Sequence, residues 1–96
     1  MTAEVTMAFH ASLDMHFWLT RGMARRLGVN LTEAMHQGLL TRADFAQMVA
    51  RCRTCSDSQR CLEFLAEHPE SISEPPEGCT NAQVLDELRQ LVNETR

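Results

Sequence analysis

The chain contains four cysteines, and their spacing favours one shared metal centre. They follow the pattern Cys52-x2-Cys55-x5-Cys61-x17-Cys79. Four thiolates satisfy the coordination of either a structural zinc ion or a [4Fe-4S] cluster, so the number of ligands does not choose between them. The sequence therefore predicts that Cys52, Cys55, Cys61 and Cys79 are the cofactor and metal ligands.

The spacing favours the cluster. Structural zinc sites with four cysteines usually combine two short C-x2-4-C pairs, whereas this chain has one such pair, Cys52 and Cys55. A cubane has four separate iron corners, which suits one short pair, a longer step and a remote fourth cysteine. We predict a [4Fe-4S] cluster, with a zinc ion as the alternative and metal-free thiols or disulfides as the remaining interpretation.

Several other side chains could act at this centre. Arg51, Arg53 and Arg60 lie beside the ligands in sequence and could offset the cluster charge or donate hydrogen bonds to sulfur. They are equally typical of solvated cations at helix ends. His68 could replace one thiolate, but its position before Pro69 is also ordinary for a histidine at the end of a helix.

The elements that would position the cysteines are predicted to be helices. The chain has no Tyr and one Trp, and it is rich in Ala, Leu, Met, Glu and Arg, which indicates an all-α fold. A first helix is expected over residues 12–27, with Gly28 as its stop, and a short second one over 31–37. The first helix is expected to bury the stripe Leu13, Phe17, Ala24 and Leu27, with Met23 beside it.

The third and fourth helices should bring three cysteines to one corner. Thr41 with Asp44 three residues later indicates a capping box, and the helix that follows carries Cys52 near its end. Ser56 and Asp57 are candidate N-caps of a fourth helix over residues 58–68, which carries Cys61 in its first turns. Cys55 would then lie in the turn between them.

The fourth cysteine should come from a loop. Residues 69–78 contain all three prolines and three Glu, so we expect an extended loop that leads to Cys79. Thr80 or Asn81 is expected to cap a last helix. Its predicted apolar stripe is Ala82, Val84, Leu85, Leu88, Leu91 and Val92.

Length and charge limit the remaining possibilities. The 96 residues fit a single domain, 1–96, in which about five short helices fold around the four-cysteine site and residues 1–11 are a loosely ordered segment. The formal net charge is −4; residues 42–61 carry +2 and residues 62–96 carry −6. An acidic total argues against nucleic acid or anionic membrane as a partner.

Location and catalysis are inferred from what the sequence lacks. The first twenty residues contain no Lys or Arg, and no apolar run is long enough to span a membrane, so we predict a cytoplasmic protein. No nucleophilic triad, phosphate loop or paired carboxylates can be found, and we do not expect an enzyme. A DNA-binding helix-turn-helix with Arg42, Arg51 and Arg53 on its second helix is a weaker alternative.

The chain resembles an uncharacterised bacterial family, domain of unknown function 6455. The segments that carry the resemblance are M-A-R-R-L-G-V, G-L-L-T, R-C-R-T-C, Q-R-C-L-E-F-L and G-C-T-N. It implies only the four cysteines as functional residues and names no activity. The C-x2-C-x5-C step is also similar to the last three cysteines of the [4Fe-4S] loop in helix-hairpin-helix DNA glycosylases, which supports the type of cluster.

Together these observations predict a small iron-sulfur protein. We expect it to work with a protein partner, either transferring electrons or sensing redox state, oxygen or iron. The alternative is an interaction module held together by zinc. A metal-dependent transcriptional regulator is the third possibility.

Overall fold

The computed structural model describes residues 3–55 and 58–94, with side chains from residue 14 onward. This part of the chain is helical and contains no strand, which confirms the all-α prediction and the number of helices. None of its helices is both long enough and apolar enough to cross a membrane. The helices are α1 (Ala3–Arg26), α2 (Leu31–His36), α3 (Arg42–Thr54), α4 (Ser58–Glu67) and α5 (Ala82–Glu94).

The first helix is longer than the sequence indicated. We expected a start near residue 12, whereas α1 has 24 residues and begins at Ala3. The loose order expected of residues 1–11 stays a prediction. This N-terminal stretch has no Gly or Pro to interrupt a helix, and we found no cap within it. The stop at Gly28 is confirmed: its φ is 83°, and its N–H donates to the Arg25 carbonyl at 3.0 Å.

Local capping signals set the starts of α2 and α3. The Asn30 side chain accepts a hydrogen bond from the Glu33 N–H at 3.0 Å. At α3 the predicted capping box is complete, because the Thr41 hydroxyl accepts from the Asp44 N–H and the Asp44 carboxylate accepts from the Thr41 N–H, both at 3.0 Å. The proposed N-caps of α4, Ser56 and Asp57, lie outside the described residues.

The core forms where α1, α2, α3 and α5 meet. Its three largest fully buried side chains, Met48, Leu85 and Val29, come from α3, α5 and the link after α1. The rest of this core cluster consists of Met23, Ala24, Leu27, Leu31, Ala34, Leu40, Phe45, Val49 and Leu88. Burying these apolar side chains is the main favourable contribution to folding.

The buried face of α1 differs from the predicted stripe. Ala24 and Leu27 are buried as expected, but Phe17 is half-buried and Leu13 has no described side chain. The additional buried positions lie on the neighbouring face, at His16, Leu19, Thr20 and Met23. Helix α1 has other elements packed on two sides, α2 and α3 on one and α4 with the cysteines on the other, so a single stripe could not describe it.

Helix α4 and the loop after it are held against α1. None of the α4 residues is fully buried. The helices approach closely at Gly22, where an added Cβ would lie 3.3 Å from Leu65 Cδ1. Arg26 donates to the carbonyls of Leu65 and His68 at 3.2 and 2.7 Å, and its own carbonyl accepts from the Ile72 N–H at 2.8 Å. These contacts connect the proline-rich loop to α1.

Candidate metal centre

Two of the cysteines lie at the end of α3, as predicted. Cys52 is in the last turn and half-buried. Cys55 is the C-cap residue, with extended backbone angles of φ −68° and ψ 129°, and its N–H donates to the Cys52 carbonyl at 3.1 Å. The chain therefore leaves the helix at Cys55 and directs both side chains to the same end of α3.

Cys61 comes from the first turn of α4. The helix begins at Ser58. The Ser58 hydroxyl donates to the Cys55 carbonyl at 3.4 Å, which links this end of α4 to the end of α3. Ser58 Oγ is also 3.0 Å from His16 Nε2, so α1 takes part in the same junction. His16 is 5% exposed, and sequence analysis had not identified it as a buried residue.

Cys79 is delivered by the loop before α5. Gly78 has a φ of 90°. This conformation is strained for residues that have a Cβ atom, whereas glycine adopts it readily. The Cys79 N–H donates to the Pro76 carbonyl at 3.2 Å. The Asn81 N–H, just before α5, donates to the Cys79 sulfur.

The four thiols border one cavity. None of Cys52, Cys55, Cys61 and Cys79 is in a disulfide, and all four are partly buried. The cavity is small, about 20 Å³, which is room for about one water molecule. The other residues around it are Leu19, Thr20, Met23, Thr80, Asn81 and Leu85.

The donor set fits a thiophilic metal, but the thiols are not closed around a single ion. Among the residues described, no three His, Cys, Asp or Glu side chains are arranged so that they could hold one metal ion. A tetrahedral zinc site brings its sulfurs to about 4 Å from one another, because each Zn–S bond is about 2.3 Å long. Zinc would therefore need the thiols to move together, whereas a cubane would need the small cavity to widen.

Burial controls the protonation of two of these thiols. Desolvation raises the pKa of Cys52 above its ordinary value of 9.0, a hydrogen bond with the Thr20 side chain opposes the change, and the Cys55 and Cys79 thiols add to it. Burial also raises the pKa of Cys79, against the Asn81 N–H. Both thiols are neutral near pH 7, as an ordinary cysteine is, and burial extends this neutrality to higher pH, so metal binding must release their protons.

Asn81 connects the site to the core and was proposed only as a cap. Its side chain is 4% exposed, its Nδ2 donates to the Met48 carbonyl at 2.8 Å, and its Oδ1 accepts from Arg51 Nη1 at 3.4 Å. The neighbouring Thr80 hydroxyl donates to the Arg51 carbonyl at 3.1 Å. The start of α5 is therefore attached to the last turns of α3, which places Cys79 beside Cys52.

The charged residues proposed near the ligands lie elsewhere. Of the described side chains, those of Arg51, Arg53 and Arg60 do not line the cysteine cavity. Arg51 is bonded to Asn81, and Arg53 lines a groove between α1, α2 and α3. His68 stacks on Phe64 with ring centroids 4.2 Å apart, and its Nδ1 is 2.9 Å from the Phe64 carbonyl, as expected of a histidine at a helix end.

Sequence reasoning missed the contribution of α1 to the site. Leu19, Thr20 and Met23 cover one side of the cavity, and the Thr20 hydroxyl contacts Cys52 while also donating to the His16 carbonyl at 2.8 Å. One signal was present: Thr20 is a polar residue four positions after His16, and the other residues three or four positions from it, Phe17, Met23 and Ala24, are apolar. This pattern indicates a buried polar contact but does not identify its partner.

Comparison with known proteins gives a family but no activity. The family of unknown function DUF6455 matches residues 7–91, which covers all four cysteines. The chain belongs to this family. No curated protein and no solved structure matches the sequence. Membership in DUF6455 confirms the resemblance found in the sequence, and the cysteine cavity is the feature from which a function must be argued.

Proposed function

We propose that this DUF6455 protein binds one [4Fe-4S] cluster through Cys52, Cys55, Cys61 and Cys79. The observation that supports the proposal most directly is the shared cavity, which is bordered by four cysteines outside any disulfide, from α3, the turn after it, α4 and a loop. A small fold that gathers four thiols without pairing them has the donor set of a thiolate-bound metal. When bound, such a cluster supplies a one-electron redox couple.

The surrounding residues have roles that suit this proposal. The Asn81 N–H donates to the Cys79 sulfur, and such bonds tune the potential of iron-sulfur centres. The Thr20 hydroxyl, whose proton goes to the His16 carbonyl, lies against Cys52. Leu19, Met23 and Leu85 cover the inner side with apolar groups, which limits access of water. All four cysteines remain partly exposed, so electrons or oxidants could reach the centre from outside.

The partial exposure of the four cysteines favours a function in which a protein partner docks beside the metal centre. A half-exposed centre lies within reach of a docked redox protein, and it is also open to attack by oxygen. We therefore propose electron transfer, or sensing of redox state, oxygen or iron, in the cytoplasm and without catalysis by the chain alone.

A structural zinc ion is the second candidate, and the size of the cavity favours it. About 20 Å³ is closer to the space one ion needs than to that of a cubane. A zinc ion would also connect α3, α4 and the start of α5. Helix α4 would gain most from this, because it has no fully buried residue that anchors it in the core. In that case the metal would stabilise the fold, and the helical surface would bind the partner.

Metal analysis after anaerobic purification tests the proposal. We expect a brown protein with about four iron atoms and about four acid-labile sulfides per chain. A colourless protein with one equivalent of zinc would refute the cluster and support the second candidate. Cys79→Ser should lose the cluster, whereas Thr80→Ser, which keeps the neighbouring hydroxyl, should retain it. If Cys79→Ser retains full metal content, the four-cysteine ligand set is wrong.

A further inference from the structure

A groove lies between α1, α2 and α3, and it includes none of the four cysteines. It encloses about 520 Å³, within the range of pockets that bind small molecules. Phe17, Met35, Phe45 and Val49 form its apolar floor. Phe45 and Val49 are only 8% and 7% exposed, so the floor is recessed between the helices.

Positive charge surrounds this apolar floor. Among the residues with described side chains, Arg21, Arg42 and Arg53 line the groove, against one carboxylate, Asp14. In the part of the chain that the structure describes, neither Arg21 nor Arg42 forms an ion pair with a carboxylate within 4.0 Å. An apolar floor beneath an excess of guanidinium groups complements a molecule that has an apolar body and a negative head, because arginine binds carboxylates through paired N–H donors.

We propose that this groove binds an amphipathic carboxylate, a molecule with one carboxylate and an unbranched apolar chain of medium length. The recessed floor and the volume suit a small molecule better than a protein segment, since protein interfaces are broader and flatter. The inference does not depend on the metal at the cysteine cavity.

The protein carries its own reporter for this binding. Trp18 is the only tryptophan, and the Arg21 guanidinium lies 5.2 Å from its ring centroid and 5.7 Å from that of Phe17. Phe17 and Arg21 both line the groove, so a carboxylate that draws Arg21 inward changes the cation–π contact with Trp18. We expect saturable binding to alter the Trp18 fluorescence.

Decanoate is the probe for the experiment. The full-length protein, with its metal as isolated, is titrated with decanoate below its micelle concentration, and binding is measured by calorimetry and Trp18 fluorescence. We expect one site per chain. Decan-1-ol and decyltrimethylammonium should bind at least about 10-fold more weakly, because the alcohol has neither the negative charge nor the second oxygen of a carboxylate, and the ammonium group is repelled by arginine. From octanoate to decanoate, each methylene should tighten binding by up to about 4-fold.

Two pairs of variants locate the site. Ala46 is exposed and lines the groove, whereas Ala43 is exposed on the same helix and does not, so Ala46→Glu should abolish binding and Ala43→Glu should leave it unchanged. Arg42→Gln should weaken binding about 10-fold. Arg25→Gln, at an exposed arginine of α1 outside the groove, should have no effect.

The outcomes that overturn the inference are distinct. Equal affinity for all three decyl compounds would indicate non-specific adsorption, and unchanged binding by Ala46→Glu would place the site elsewhere. If decanoate does not bind, and sedimentation detects a dimer that Ala46→Glu dissociates, the groove is an interface between two copies of the chain. The absence of both binding and association also overturns it.

Discussion

Replacing Asn81 with alanine should destabilise the protein by about 2 kcal/mol. The 2.8 Å bond from Nδ2 to the Met48 carbonyl has good geometry, whereas the 3.4 Å contact with Arg51 is at the limit for a hydrogen bond, so we count only the first. Removing one partner of a buried hydrogen bond costs about 1–3 kcal/mol, because the remaining group stays desolvated. At 4% exposure, water cannot easily replace the lost side chain.

Thermal unfolding followed by circular dichroism measures this effect. For a domain of this size, about 2 kcal/mol lowers the melting temperature by about 10 °C. Asn93→Ala is the matched control, since Asn93 is exposed on the same helix and its replacement should change the free energy of unfolding by less than about 0.5 kcal/mol. A melting temperature for Asn81→Ala within about 2 °C of the unaltered protein would refute the reasoning.

A second substitution tests which atom of Asn81 matters. Asn81→Asp keeps the acceptor that faces Arg51 but replaces the Nδ2 donor with an oxygen directed at the Met48 carbonyl. Two acceptors then face each other in a buried place, so the loss of stability should exceed that of Asn81→Ala. If the aspartate variant is the more stable of the two, the bond to Met48 does not hold α5 on α3.

Three further predictions concern the caps, the loop and the thiols. Thr41→Ala should lower the free energy of unfolding by about 1 kcal/mol. Hydrogen bonds from Thr41 lower the pKa of Asp44 below its ordinary 3.8. The stability that Asp44 contributes should therefore be present above pH 3.8 and be lost in acid titrations below it. Gly78→Ala should cost about 1 kcal/mol by placing a side chain at φ 90° and should lower the metal content measured after purification. Burial raises the pKa values of Cys52 and Cys79 above 9.0, so the metal-free protein should be most stable below pH 9. Urea unfolding should show a loss of stability as the pH rises further. A variant with both Cys52 and Cys79 replaced by Ser should not show this loss.

Much of the local structure could be predicted from the sequence. The capping box at Thr41, the Asn30 cap and the stop at Gly28 all depend on residues within four positions of each other, so the chain carries these signals without tertiary context. The same is true of Cys55 in the turn after α3. The predicted start of α1 was wrong because it was placed from the apolar stripe that begins at Leu13, although residues 3–12 contain no Gly or Pro that would end a helix.

The surroundings of the cysteines could not be predicted in this way. Thr20 and Asn81 reach the site from α1 and α5, and their partners are separated from them by tens of residues. A polar residue on a helix indicates that it needs a partner, but not which group supplies it. The groove beside Phe45 was likewise invisible, because it exists only where three helices meet.

The sequence by itself determined the all-α fold, the order of the helices and the positions of the four cysteines at helix ends and in a loop, since these follow from propensity, capping and turn residues along the chain. Only the tertiary structure decided that the four thiols border one cavity, that α1 covers it and that burial raises the pKa values of Cys52 and Cys79. The physical reason is that desolvation and convergence depend on contacts between distant segments, which no local spacing can specify.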